Sequence, residues 1–165
     1  MLRCGQIVVM GFVIPLLAAC ANTTALEPQN QPLDTRQARL YFIRPSAILS
    51  KLGSAEIRID GKSIGSIATG RYIAADRPPG PHKITAYSIV DSTGSEANIQ
   101  IEPGITYYFE LGPIVETNID LFARDAAGIT GRPLPGHHSM TSAFMFYSLD
   151  SAAGAAAIAR LNAQK

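Results

Sequence analysis

Gly61-Lys62-Ser63-Ile64-Gly65 fits G-x-S-x-G, the pattern in which a serine is raised on a sharp turn as a nucleophile. That chemistry needs a strand-to-helix elbow, and this pentad lies in a hairpin pattern with no helical pattern behind it. Gly61-Lys62-Ser63 also echoes the end of a P-loop, but Glu56 stands where the upstream glycine is required. His137-His138 is the best metal candidate; zinc asks for three or four ligands, and His82 is remote in sequence. We therefore expect polar loop side chains there, with no metal and no cofactor. Asp76, Glu110, Glu116 and Asp120 are the carboxylates that an acid–base pair could draw on, with ordinary surface acids as the default. Tyr41, Tyr72, Tyr87, Tyr107 and Tyr108 could bind sugars or peptides as a row on a sheet face, although tyrosines in a small sandwich more often pack the core. Arg44 and Arg71 could grip an anion, but strand-end arginines are usually solvated or paired locally. None of these sets makes a credible catalytic group, and the expectation is a protein that is not an enzyme.

The remaining reactive residue is Cys20. Ahead of it stand a positive charge at Arg3, an apolar run from Ile7 to Leu17 broken by Gly11 and Pro15, and the small residues Ala18-Ala19. That is the layout of a secretory signal, and the run is shorter than the about 20 residues a spanning helix needs. Leu17-Ala18-Ala19-Cys20 resembles the bacterial lipobox position by position. The resemblance implies diacylglycerol on the Cys20 thiol, cleavage before it and acylation of the new amino group. Two or three acyl chains anchor a protein stably without its spanning the membrane. Residues 1–19 are thus expected to be a removed lipoprotein signal peptide. Ala21, where an aspartate would favour retention in the inner membrane, points to the outer membrane.

Without Arg3 the 14 basic residues become 13, against 13 acidic ones, so the mature chain is formally neutral. With no Lys/Arg cluster, a nucleic-acid surface is not expected. Cys4 leaves with the signal and Cys20 is acylated, so the exported domain is expected to hold no disulfide. Residues 20–37, rich in Asn, Gln, Thr and Pro, read as a flexible tether spanning about 20–25 Å on average. The rest, 38–165, is long enough for a single domain.

Short alternating segments recur through that domain at roughly ten-residue spacing, with turn residues between them. Leu40-Tyr41-Phe42-Ile43 is apolar on both parities and suits a strand buried on both faces. Asp60-Gly61 between alternating runs marks a hairpin. A two-residue loop sets Ile59 opposite Lys62 and Ile57 opposite Ile64; a three-residue loop with a bulge shifts the register by one. Further strands are expected at Arg71–Asp76, His82–Tyr87, Ala97–Ile101, Thr106–Leu111, Ile119–Phe122 and Ala143–Tyr147. Pro78-Pro79-Gly80-Pro81 reads as a rigid connector, Ser92–Glu96 as a polar loop, and Gly128–Ser139 as a long loop and a candidate functional one. Asp150-Ser151 caps a short C-terminal helix, with Ile158 and Leu161 placed to dock on a sheet. The fold class is mainly β, a small antiparallel β-sandwich (Ig-like) with that helix.

Leu40–Pro45, Ile57–Lys62 with Ile64-Gly65, Gly70-Arg71-Tyr72, Pro78–His82 and Gly104–Tyr108 together resemble a family of small bacterial lipoproteins of unknown function related to PEGA-type β-domains. The terminal strand and helix resemble that family's ending, and Ile114 to Thr141 matches nothing. The resemblance implies an extracytoplasmic β-domain and supplies no catalytic residues. The functional expectation is a lipid-anchored module in the periplasm that binds an envelope protein or peptidoglycan. A carboxylate-based envelope hydrolase is one alternative, and an accessory subunit of an envelope complex is the other.

Overall fold

The structure is a computed structural model describing residues 31–46, 53–88, 94–114, 128–138 and 144–164. Among the described residues, ten strands form two five-stranded sheets. The first sheet takes the order β4 (Arg71–Arg77), β1 (Ala38–Arg44), β7 (Thr106–Gly112), β10 (Met145–Leu149), β8 (Arg132–Pro133). The second takes β3 (Lys62–Ile67), β2 (Ala55–Ile59), β5 (Gly80–Ser88), β6 (Gly94–Ile101), β9 (Gly136–His138). All pairings are antiparallel except β1 with β7. Among the described residues this is a mainly β sandwich with one short C-terminal helix, the fold class read from the pattern.

The core lies between the sheets. Leu40, Phe42, Ile73, Phe109, Leu111 and Phe146 point inward from the first sheet, and Ile57, Ile59, Ile64, Ile67, Ile84 and Ile101 from the second. β2, β5 and β6 of the second sheet bury alternate residues and send their polar parity to solvent, as an antiparallel sheet with one wet face should. β1 behaves differently because both of its parities are apolar. Leu40 and Phe42 enter the core, while Tyr41 and Ile43 face the opposite way, under helix α1 (Ser151–Ala163).

That helix starts where the Asp150 carboxylate accepts the Ala153 N–H at 2.8 Å, an N-cap worth about 1 kcal/mol. It presses Ala157 and Leu161 onto Ile43 and Leu149, with Tyr41, Tyr72, Tyr108 and Ile158 around them. The docking of Leu161 and Ile158 agrees with the sequence reading. Gly154 makes the close approach possible, since a Cβ there would lie 2.1 Å from the Tyr108 ring.

The β2–β3 turn is the tight two-residue form, with Asp60 at φ 52° and Gly61 at φ 78°. Ile59 pairs with Lys62 as expected, but Ile57 pairs with Gly65 and not Ile64. A bulge inserts Ile64 as an extra residue, which explains how Ile64 and Ile67, three apart, both reach the core. Three other boundaries differ from the sequence reading. β5 begins at Gly80, taking Gly80-Pro81 out of the connector, and β6 begins at Gly94 inside the expected polar loop. The stretch read as a long loop carries β8 on one sheet and β9 on the other, and so straps the two sheets together. Gly136 permits this, because a Cβ there would sit 2.0 Å from the Glu96 carbonyl oxygen. The strand expected at Ile119–Phe122 lies outside the described residues.

Candidate functional site

Each motif that could do chemistry has a place in this frame. Ser63 lies on β3 and its hydroxyl bonds the Glu56 carboxylate, with strand before and after it. The elbow that would activate it does not form. His82 is held on both sides: Nδ1 lies 2.6 Å from the Asp60 carboxylate and Nε2 lies 2.8 Å from the Pro78 carbonyl. Asp60 also accepts the Lys83 N–H at 2.9 Å. Burial pushes the Asp60 carboxyl up, but these bonds, with the neighbouring Arg77 charge, outweigh it and hold the carboxyl below its usual range. Both imidazole nitrogens face acceptors, so the group clamps the hairpin turn to the start of β5 and has no free nitrogen to act as a base. His137 is exposed on β9, opposite Glu96, and no cluster of three metal-ligating side chains occurs among the described residues.

The carboxylates do not converge. Asp76 grips Arg39 with two bonds of 2.7 Å, and the pairing raises the already high pKa of the guanidinium. Glu110 is sealed, 1 % exposed, and accepts the N–H groups of Thr130 and Gly131 at 3.0 and 3.1 Å. Burial raises its pKa, against those two bonds and the Arg160 charge. Asp76 pairs across from Arg39 and Glu110 across from Ile43, on opposite sides of β1. Two strand spacings and four residues of rise separate them by roughly 16 Å, beyond the about 5–9.5 Å of a glycosidase pair. Glu116 and Asp120 lie outside the described residues.

The five tyrosines do not form one row. Tyr41, Tyr72 and Tyr108 gather beneath α1, with Tyr41 stacked on Tyr108 at 5.2 Å and the Tyr72 hydroxyl donating to Asn162 at 2.9 Å. Tyr107 packs against the main core and its hydroxyl accepts the Glu102 N–H. Arg44 is buried too, over the Phe144 ring and bonded to the Gly53 and Ile67 carbonyls, so it serves packing at the end of β1. Burial lowers its pKa. Arg71 is exposed at the start of β4.

Tyr87 alone of the five is exposed, at 38 %, and it sits on the outer face of the second sheet, the face that α1 does not cover. Its cross-strand neighbours are Glu56 on β2 and Gly94 on β6. With no Cβ at Gly94, the ring settles over the next strand; a Cβ there would meet it at 3.2 Å. Arg58 lies 5.3 Å from the ring centroid and is bonded to Glu56 at 3.0 and 3.1 Å. One row further along, Arg58, Thr85 and Glu96 stand side by side, and Lys83 pairs with Glu96 at 2.5 Å. The arginine bond holds the Glu56 carboxyl below its usual range. The strict alternation of Glu56–Ile59 sets Glu56 and Arg58 on one parity, but only strand pairing brings Arg58, Tyr87 and Gly94 together.

The two long edge strands, β4 and β3, are blunted against pairing with a partner strand. Ile73, Ala74 and Ala75 in the middle of β4 are buried, and β3 carries the bulge. β8 and β9 span two and three residues.

No curated protein matches this chain. A model of the family described as protein of unknown function, DUF2846, matches residues 34–119, from the turn before β1 through β7 and beyond. The match covers just over half of the chain, which therefore belongs to this family of proteins of unknown function.

Proposed function

We propose that the protein is a lipoprotein of the bacterial envelope, anchored through acylated Cys20 in the outer membrane and facing the periplasm, where its β-sandwich acts as a non-enzymatic binding or structural module. The observation that carries this reading is the order of Arg3, the apolar run and Leu17-Ala18-Ala19-Cys20 ahead of a β-sandwich whose described residues begin at Gln31. The Gln31 carbonyl accepts from Arg39 at 2.6 Å, and the Gln37 carbonyl accepts the Gly104 N–H. The eleven steps between Cys20 and Gln31 reach at most about 40 Å when extended. Such a reach holds the domain near a bilayer without embedding it. The order of hairpin, Pro-Pro connector and Gly104 turn supports kinship with PEGA-type domains.

The test is fractionation of cells making the wild type and Cys20→Ser. We expect wild type in the outer membrane and the variant in the soluble periplasm; a variant that stays in the membrane overturns the anchor. The hydrolase alternative loses its two described candidates to structural roles, Asp76 with Arg39 and Glu110 with Thr130 and Gly131.

A further inference from the structure

The incoming chain meets the domain at one end of the sandwich, and that end carries an apolar tip. Gly80 pairs with Ile101, so the β4–β5 connection and the β6–β7 turn emerge side by side. Between them they expose Pro78, Pro79, Pro103 and Ile105. Ile105, at 44 %, is the most exposed large apolar residue among those described. Pro32 joins this end from the incoming chain. The Gln31 carbonyl before it is held by Arg39, whose guanidinium also grips Asp76, two residues ahead of Pro78.

The polar backbone groups of the two loops are bonded from within. The Gly104 N–H donates to the Gln37 carbonyl at 2.7 Å, and the Ile105 carbonyl accepts the Arg39 N–H at 3.0 Å. The Glu102 N–H donates to the Tyr107 hydroxyl at 3.0 Å, and the Pro78 carbonyl lies 2.8 Å from His82 Nε2. Proline adds apolar surface with no N–H to satisfy. Entry into an apolar phase is costly chiefly where backbone groups lose water without gaining a partner, and these four already have one. The bonds to Gln37 and Arg39 also brace the turn rigidly against the chain that leads back to Cys20.

That chain fixes what the tip meets. Eleven steps join Cys20 to Gln31, and they end beside Pro32 and Gly104. A tip of this size would not hold a free protein to lipid, but a tether makes the contact intramolecular, and a weak contact is then populated. The neighbouring charges, Arg36 paired with Asp34, Arg77 and Glu102, are of both signs and keep the contact at headgroup depth.

We infer that the end of the sandwich formed by Pro32, Pro78, Pro79, Pro103 and Ile105 seats on the lipid surface, with Ile105 entering the boundary between headgroups and acyl chains. This rests on the reading of Cys20 as the lipid anchor and adds the orientation in which the domain is held.

The test uses the full-length chain as cells process it, purified with its acyl chains and reconstituted in phosphatidylcholine vesicles. The chain has no tryptophan. Ile105→Trp therefore places a single reporter at the contact. Tyr87→Trp places one on β5, seven residues and roughly 23 Å beyond Gly80. With brominated acyl chains in the vesicles, Ile105→Trp should lose most of its emission and shift to the blue, and Tyr87→Trp should do neither. Adding phosphatidylglycerol should leave the quenching unchanged. Hydrogen exchange at 104–106 should be slower on vesicles than in soluble Cys20→Ser. Ile105→Asp, still anchored and with an unchanged Tm, should lose most of that protection. An anchored Ile105→Trp that is not quenched, or an Ile105→Asp protected like wild type, overturns the inference and leaves the anchor standing. Wild type without acyl mass on Cys20 overturns the anchor and the seat together. Protection at 104–106 that grows with the concentration of Cys20→Ser in the absence of lipid assigns this end to a second copy and defeats the lipid contact.

Discussion

Glu110 is a carboxyl placed where a carboxylate is costly, and its two backbone bonds explain why it is there. It satisfies the N–H groups of Thr130 and Gly131, which the strap between β7 and β8 would otherwise bury unbonded. Glu110→Ala leaves both orphaned beside a cavity, and we expect a loss of about 2–4 kcal/mol in denaturant unfolding. Glu110→Gln keeps an acceptor and should cost clearly less. The pKa of Glu110 is raised in the fold, so its contribution is full below the unfolded value and is lost as pH rises through the folded one. The Gln variant should therefore flatten that upward loss in a stability-versus-pH curve. Asp60 runs the other way. Its pKa is depressed, so its contribution is present above the unfolded carboxyl value and disappears as pH falls through the folded one. His82→Ala should lower Tm at neutral pH and shrink this acid-side loss; an unchanged acid limb would show that the clamp contributes nothing. Neither role could be read from sequence. Glu110 and His82 were visible as titratable residues, but their partners lie 20 and 22 residues away and are chosen by strand pairing.

The helix shows how two element-scale preferences compete. Glycine inside a helix costs about 1 kcal/mol against alanine, so Gly154→Ala would stabilise α1 in isolation. In the fold its Cβ would press into the base of the Tyr108 ring, near Cβ and Cγ, where no rotamer change can yield. Overpacking of this kind costs about 1–3 kcal/mol, so a net loss is expected, with Tm falling in thermal unfolding. A double-mutant cycle with Tyr108→Ala should return a coupling above about 0.5 kcal/mol; additive effects would mean that the helix sits elsewhere. The existence and cap of this helix were legible, because Asp150 precedes a run of strong helix formers. The hairpin turn was legible as well, since Asp60-Gly61 tolerates positive φ. The bulge that follows was not legible, because it is set by the need to bury both Ile64 and Ile67 against the facing sheet.

At the scale of the molecule, the two sheets are alike in strand number and unlike in exposure. Removing α1 by a stop after Asp150 would bare Ile43, Leu149 and the Tyr41–Tyr72–Tyr108 cluster together. We expect such a chain to aggregate or bind a hydrophobic dye at neutral pH, whereas polar substitutions at the exposed positions of β5 and β6 should leave solubility unchanged. Some of this architecture is local and therefore readable along the chain: alternation of apolar and polar residues, glycine and proline turns, and a double-apolar β1. Those features depend on a residue and its near neighbours, and they determined a mainly β sandwich with a C-terminal helix. Tertiary structure decided the rest. It chose which sheet α1 would cover, turned the stretch from Gly128 to Ser139 into a strap with a strand on each sheet, and separated Asp76 from Glu110. It also left Tyr87 exposed beside Arg58 while sealing Tyr41, Tyr72 and Tyr108. Each of these follows from pairings between strands distant in sequence, whose register depends on packing both faces at once.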